Sequence, residues 1–391
     1  MSHIEKARQM APEYTTIRQW IHRHPELGFE EQETSTLVAA KLRELGYDVT
    51  EGVGGTGVVA TLKRGNSTRS IGLRADMDAL PIREAPGRAY CSVHDGKMHA
   101  CGHDGHTATL LCGADYIARH ADFDGTVHLI FQPAEETLDG ARKMIEDGLF
   151  ERFPCDTVYA MHNAPGLPVG QAVCLEGPIT ASSDRATVRI RGKGGHGAMP
   201  HLTRDPVLAA AALVMSLQSI VARNVSPDET AVISVGAIHT GETFNVIPDE
   251  AVVKLNTRAC TPEVRNQLEE RINGVVAGVC ATYEVSFEIE FEHCIGVLVN
   301  HPEPTAVSRK VLTKLLGEQN VITVKRKGGL GSEDFATMAE ARPGCYIALG
   351  NGVGTFGGCS VHNPGYDFND EIIPIGAGFW GALVETVLAP A

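Results

Sequence analysis

The chain has 391 residues, of which 43% are hydrophobic and 21% charged, a composition typical of a soluble globular protein with two or three domains. Its net charge of −14 argues against nucleic acid or an anionic membrane surface as the main partner. Ten cysteines without a pairing pattern, no apolar leader segment and no uninterrupted run of about 18 apolar residues predict a cytoplasmic protein with reduced thiols.

The first 183 residues alternate between helix-like and strand-like segments. Helical periodicity covers residues 3–48, with a break at His24–Gly28. Strands are then predicted at 58–62, 70–75, 125–131 and 157–161, and helices at 107–120 and 140–148. Alternation of this kind predicts an α/β fold built on a largely parallel sheet.

Polar residues that can bind metals follow three successive predicted strands. Cys101 and His103 are two residues apart, so on an extended segment a thiolate and an imidazole point to the same side. Glu135 and Glu136 follow the next strand, and His162 follows the third. Because functional groups of open α/β sheets collect at the carboxyl ends of the strands, we expect these side chains to share one edge of one sheet.

Each of these residues also has an ordinary structural interpretation. A lone Glu-Glu pair is usually a solvated surface feature, and a lone histidine is usually a satisfied core residue. The position at strand ends favours function instead, with one glutamate binding metal and the other acting as general base. His362, on a polar loop near the carboxyl terminus, is the natural fifth ligand because neutral histidine is the commonest transition-metal ligand.

The pattern changes near Ser183. Segments 186–191, 206–223, 231–238, 250–258, 262–282 and 284–291 read in the order β-α-β-β-α-β, which predicts a ferredoxin-like α+β unit. From about residue 299 the α/β pattern resumes, with a helix at 303–317, a strand at 346–349 and a carboxyl-terminal helix at 374–388. The predicted organisation is therefore a discontinuous catalytic domain of residues 1–183 and 299–391 that is interrupted by residues 184–298.

Six short motifs, taken together and in order, resemble one family over essentially the whole chain. They are His99–His106, Phe131–Glu136, Met161–Asn163, Gly194–Ala198, Asn245–Pro248 and His362–Pro364. The chain resembles the N-acyl-amino-acid amidohydrolases, or hippurate hydrolases, together with the plant indole-acetyl-amino-acid hydrolases. These belong to the aminoacylase and carboxypeptidase group of co-catalytic di-metal enzymes.

This resemblance implies a di-metal aminopeptidase/carboxypeptidase-like α/β/α catalytic domain with an inserted lid or dimerisation domain. It implies two divalent metals, with these ligands: Cys101, His103, Glu136, His162 and His362. Cys101 would bridge the two metals. The expected metals are manganese or zinc, with cobalt or nickel as alternatives. Asp76 replaces a ligand histidine of the wider group, so we do not assign it to a metal; Asp78 would orient a ligand by hydrogen bonding.

The resemblance also implies roles for four further residues. Glu135 matches the general base, and His196 matches a histidine that stabilises the oxyanion of the tetrahedral intermediate, in relatives often across a subunit boundary. Asn245 and Arg258 match residues near the substrate carboxylate. From the residues alone, the glycine-rich segment around His196 also suits a flexible surface loop, and an arginine at a strand end also suits simple exposure.

The expected activity is metal-dependent hydrolysis of N-acyl amino acids of the hippurate or N-acetyl type, which yields a carboxylic acid and a free amino acid. The expected partner is this small substrate, and the expected assembly is a homodimer or homotetramer formed through the inserted domain. A dipeptidase or carboxypeptidase with the same metals is the alternative within enzymes, and an inactive metal-binding scaffold is the alternative outside them. The sequence does not identify the metal, the acyl group or the amino acid.

Overall fold

The structure is a computed structural model that describes residues 1–324, 331–354 and 357–390. Up to residue 178 the elements are α1 His3–Arg23, α2 Gln32–Glu44, β1 Asp48–Val53, β2 Gly57–Arg64, β3 Ser70–Asp76, α3 His103–His120, β4 Gly125–Gln132, α4 Gly140–Glu146, α5 Leu149–Arg152, β5 Thr157–Pro165, β6 Ala172–Val173 and β7 Gly177–Pro178. They continue as β8 Ser183–Arg191, β9 Gly195–His196, α6 Pro206–Asn224, β10 Ala231–Thr240, β11 Val246–Ile247, β12 Glu250–Ala259, α7 Pro262–Thr282, β13 Ser286–Ile295, β14 Val299–Asn300, α8 Pro302–Leu316, β15 Val321–Ile322, α9 Phe335–Ala341, β16 Gly344–Gly352 and α10 Ile372–Val387. Short 3-10 turns lie at Pro200–Leu202 and Glu318–Asn320.

The described residues form two compact units. The first contains residues 1–177, residues 299–324 and the described residues from 334 onward. The second contains residues 178–298 together with residues 331–333. Each unit has its own hydrophobic core.

The first unit is built around an eight-stranded mixed sheet in the order β1-β2-β4-β3-β5-β16-β6-β15. Its central strands β4, β3, β5 and β16 are parallel to their neighbours within that group, whereas β1 and β2 are antiparallel additions. All seven residues of β3 are buried, as expected for a strand covered on both faces. The carboxyl ends of the four central strands therefore meet at one edge, and the predicted α/β fold is confirmed.

The second unit is a four-stranded antiparallel sheet in the order β10-β12-β8-β13. Along the chain its main elements run β8-α6-β10-β12-α7-β13, the predicted ferredoxin-like order. Strand β8 alternates between the buried Ala186 and Val188 and the exposed Arg185 and Arg189, because only one face of the sheet is covered. Both helices begin at a side-chain cap: Asp205 accepts two backbone N–H groups of α6, and Thr261 accepts one of α7.

Helix α6 is long and apolar enough, by length and composition, to cross a membrane, with a mean hydropathy of 1.6. One of its faces packs into the core of the second unit through Ala209, Leu213, Leu217 and Ile220. A core helix of a globular unit meets the same criterion of length and composition.

Some predicted boundaries were wrong at the edge of the sheet that carries the predicted metal ligands. Helix α3 begins at His103 rather than Thr107, because Gly102 adopts a left-handed conformation with a φ of 96° and turns the chain directly into the helix. Strand β5 runs on to Pro165, so His162 lies within a strand rather than after it. Strand β1, whose exposure pattern lacks a two-residue alternation, was not predicted.

Close packing of α3 against α10 generates a stability prediction. A Cβ atom at Gly381 of α10 would overlap the ring of Tyr116 on α3, so Gly381→Ala should destabilise the first unit by about 1–3 kcal/mol through overpacking. Gly274→Ala is the matched control, because Gly274 is exposed on α7 and has open space around it. The control should stabilise the second unit by about 0.5–1 kcal/mol, and urea unfolding would measure both. Equal effects of the two substitutions would contradict the close packing.

Candidate metal centre

Gly102 determines how Cys101 and His103 are presented. Its left-handed φ disfavours any residue with a side chain, and a Cβ there would collide with the Asn163 amide oxygen and the Tyr366 hydroxyl. Only glycine fits between the thiol and the imidazole. As a result Cys101 ends the loop and His103 starts α3, with both side chains buried at the edge of the sheet.

The first group of potential donors comes from this loop and from β5. Cys101 Sγ lies 3.4 Å from His162 Nε2. The sulfur, one nitrogen of His103 and one nitrogen of His162 all lie within 4.8 Å of one another. A thiolate and two imidazoles at this spacing form a suitable donor set for a transition metal.

A second group shares the same sulfur. Glu136 Oε1 lies 3.3 Å from His362 Nε2. One carboxylate oxygen of Glu136, one ring nitrogen of His362 and Cys101 Sγ all lie within 4.8 Å of one another. Glu135 is adjacent, with its Oε2 3.9 Å from His103 Nε2. All five residues that the sequence suggested as ligands, together with the suggested base, are thus brought together at one edge of the sheet.

Two buried carboxylates, Asp78 and Glu31, contact the donor residues or the turn that carries them. Asp78 Oδ1 lies 3.1 Å from His103 Nδ1, and its other oxygen accepts the backbone N–H of Glu136 at 2.9 Å. Glu31 accepts the backbone N–H of Ala134 at 2.9 Å, which holds the turn that carries the two glutamates. Burial raises the pKa of Glu31 to about 7.

Electrostatics at the centre favour a neutral imidazole at one position. Burial lowers the pKa of His162 to about 3, so this ring stays neutral and keeps a lone pair. Burial raises the pKa of the Cys101 thiol, which opposes thiolate formation in the absence of positive charge. A bound dication reverses that effect and deprotonates a coordinating thiol.

The residues fit a divalent metal pair. His103 Nε2 is buried and has no hydrogen-bond partner among the residues that the structure describes. The same atom lies 3.9 Å from a carboxylate oxygen of Glu135 and 3.9 Å from one of Glu136. Two carboxylates this close repel each other as anions, and a thiolate beside them adds to the repulsion, unless positive charge lies among them. Sulfur, nitrogen and oxygen donors of these types suit zinc, manganese, cobalt or nickel.

The remaining predicted residues lie in the second unit. His196 is exposed on β9, which pairs with β11 next to Asn245, and the Asn245 carbonyl accepts the Gly197 backbone N–H at 2.9 Å. Arg258 lies on β12 and donates to the Ser332 hydroxyl at 2.6 Å. The structure therefore brings His196 close to Asn245.

Sequence reasoning missed a buried ionic cluster beside the donors. The fully buried Arg18 guanidinium reaches Asp104, Asp367 and Asp370 at 3.4, 3.0 and 2.8 Å. One turn further along α1, His22 lies between Asp104 and Glu84, at 2.9 and 3.1 Å. The available signal was the i, i+4 spacing of an arginine and a histidine on the buried face of an otherwise amphipathic helix.

Comparison with known proteins identifies relatives over nearly the whole length. The model of peptidase family M20/M25/M40 matches residues 72–386. The chain is 42% identical to a hippurate hydrolase of Campylobacter jejuni, over 98% of both chains. It is 37% identical to thermostable carboxypeptidase 2 of Saccharolobus solfataricus, over 92% of both. Among solved structures, a dinuclear metal-binding peptidase of the M20 family from Bacillus subtilis superposes with a TM-score of 0.85 at 32% identity, over 97% of this chain and 99% of that one.

The ionic cluster predicts a pH dependence of stability. Burial disfavours the charged form of His22, but Asp104 and Glu84 outweigh it and raise its pKa to about 9, above the unfolded value of about 6.5. The resulting stabilisation, on the order of 3 kcal/mol, is complete below about pH 6.5 and is lost as the pH rises through about 9. Urea unfolding of metal-free protein should therefore show a wild-type stability that falls over this range, and a His22→Gln variant that lacks this fall. Parallel pH profiles of stability for the wild type and the variant would contradict this contribution of His22.

Proposed function

We propose the following function for this chain, which belongs to the peptidase family M20/M25/M40 and is a metal-dependent amidohydrolase. It hydrolyses the amide bond of N-acyl amino acids and releases a carboxylic acid and a free amino acid. The observation that carries the proposal is the pair of donor sets that share Cys101, with the buried Glu135 directly beside them. The 42% identity to a hippurate hydrolase supports this substrate class.

The proposed ligands of two divalent metals are Cys101, His103, Glu136, His162 and His362. Manganese or zinc is the first choice, because thiolate and imidazole donors suit zinc and carboxylate donors suit manganese; cobalt and nickel are alternatives. When bound, such metals supply Lewis acidity that polarises a carbonyl and lowers the pKa of water.

Glu135 is the proposed general base. The residue is 6% exposed and lies beside the donors. It is on a turn that is closed by a hydrogen bond from the Leu138 backbone N–H to the Glu135 carbonyl at 2.8 Å. In this position it takes a proton from the attacking water and later gives a proton to the leaving amine nitrogen. Asp78 has the complementary task of holding His103 and the Glu136 main chain in place.

His196 is the proposed oxyanion donor. Its Nδ1 accepts the backbone N–H of Ala198 at 3.1 Å, which leaves the proton of a neutral ring on Nε2. An exposed ring with an Nε2–H group can donate to a developing oxyanion. We assign the neighbouring Asn245, and Arg258, to recognition of the substrate carboxylate.

We further propose that residues 184–298 act as a lid and as the dimerisation element of a cytoplasmic homodimer or homotetramer. Closing a lid over a metal-binding edge would exclude water and bring His196 to the substrate. A carboxypeptidase activity with the same residues is the second candidate, because the chain is 37% identical to a thermostable carboxypeptidase.

Substitutions of the two neighbouring glutamates should distinguish the general base from the metal ligand. Glu135→Gln should lower kcat at least about 100-fold while metal content, measured by mass spectrometry of dialysed protein, stays at the wild-type level. Glu136→Gln is the matched variant one residue away, and it should lose metal. If the first variant loses metal and the second keeps it, the two roles are exchanged.

A substrate panel tests the proposed activity. Hippurate, N-acetyl-methionine and a set of dipeptides are incubated with protein treated with chelator and with protein to which manganese or zinc has been restored. Amino acid should be released from the acylated substrates only after metal is restored. Cleavage of peptides alone would move the assignment to a peptidase, and no turnover with any metal would contradict both candidates.

A further inference from the structure

His106 lies at the centre of a buried hydrogen-bond chain that none of the assigned roles uses. It is on the first turn of α3 and is 2% exposed. Its Nδ1 lies 2.6 Å from Asp76 Oδ1, and its Nε2 lies 3.1 Å from the backbone nitrogen of Asn163. The amide oxygen of Asn163 lies 2.8 Å from the same nitrogen. His106 therefore holds the residue that follows His162 in strand β5.

Asn163 in turn orients His162. The Asn163 carbonyl lies 2.7 Å from His162 Nδ1, which places the proton of the neutral ring on Nδ1 and leaves Nε2 free, 3.4 Å from Cys101 Sγ. The His106 ring itself packs against the His162 ring, with centroids 4.5 Å apart and planes at 62°. Both the tautomer and the tilt of His162 thus depend on contacts that lead to His106.

The other end of the chain is fixed to the sheet. Asp76 uses one oxygen for His106 and the other for Arg74, whose Nη1 donates to it at 2.8 Å. Arg74 also donates to Asp334 at 3.0 Å. With both oxygens engaged, Asp76 is an anchor for His106, which gives a structural reason why it need not bind metal itself.

We infer that His106 is a positioning residue that orients His162, through Asn163, for one of the two metal positions. This inference rests on the proposed function. The ring contacts of His106 include His103 and His162, both of the first donor set. The backbone N–H groups of Glu136 and His362, by contrast, donate to Asp78 and to the Ala100 carbonyl, bonds that do not include His106. Loss of His106 therefore weakens one metal position more than the other.

Two substitutions at this site separate positioning from packing. The side-chain amide of His106→Asn can replace Nδ1 and keep the contact with Asp76, whereas that of His106→Gln can replace Nε2 and keep the contact with Asn163. His128→Gln is the control, because His128 is also a buried histidine, bonded to Thr61 on β2 away from the donors.

The first measurement uses metal-free protein and needs no substrate. Ring ¹⁵N chemical shifts report the tautomer of His162, which should be Nδ1–H in wild type, in His106→Gln and in the control. In His106→Asn the two tautomers should mix. The second measurement titrates zinc against a chromogenic chelator: His106→Asn should bind one of its two zinc equivalents about 10–100-fold more weakly, and His106→Gln should remain close to wild type.

Two results would overturn the inference. One is a His162 that stays fully in the Nδ1–H form in His106→Asn with unchanged zinc affinity. The other is an equal loss of the Nδ1–H tautomer of His162 and of zinc affinity in both His106 variants, with the same fall in Tm. That result would mean that His106 only fills space. If wild type binds no zinc, the proposed function fails, and the tautomer in metal-free protein still decides whether His106 orients His162.

Discussion

The parallel arrangement of β3, β4, β5 and β16 is the constraint on which the rest of the structure depends. Parallel neighbours finish at the same edge, so the segments that follow them meet there although they are far apart in sequence. The carboxyl-terminal segment joins them when the His362 N–H, on a residue with a left-handed φ of 62°, donates to the Ala100 carbonyl at 2.7 Å. Only after this convergence can a single sulfur, that of Cys101, belong to two donor sets.

The convergence of these segments also buries charged side chains at the edge of the sheet. An edge that collects carboxylates, a thiol and imidazoles in a dry environment is unstable unless each charge has a partner. The fully buried Arg18 and Arg74 supply those partners away from the donors, leaving His103 and Glu136 to face the cluster. Networks of this kind rigidify a site, because every member depends on the position of its neighbours.

Much of this arrangement could be predicted from the sequence, because it follows from local periodicity. Most of the helices, the central strands and the ferredoxin-like order follow from apolar spacing, whereas the family follows from the motifs and their order. What could not be predicted depends on tertiary contacts or on one backbone angle: the start of α3 at His103, which requires the φ of Gly102, and the extension of β5 past His162. The same limit applies to Arg18, whose three partners lie between 86 and 352 residues away from it in the sequence.

In the proposed centre, two metals share the sulfur of Cys101. The most direct measurement is anomalous diffraction from crystals of the protein grown with zinc or manganese, recorded at the absorption edge of the metal. We expect two anomalous peaks at the edge of the first unit, both within bonding distance of Cys101 Sγ. His162 should lie beside one peak, and Glu136 and His362 beside the other. A single peak, or two peaks that do not share Cys101, would contradict this arrangement.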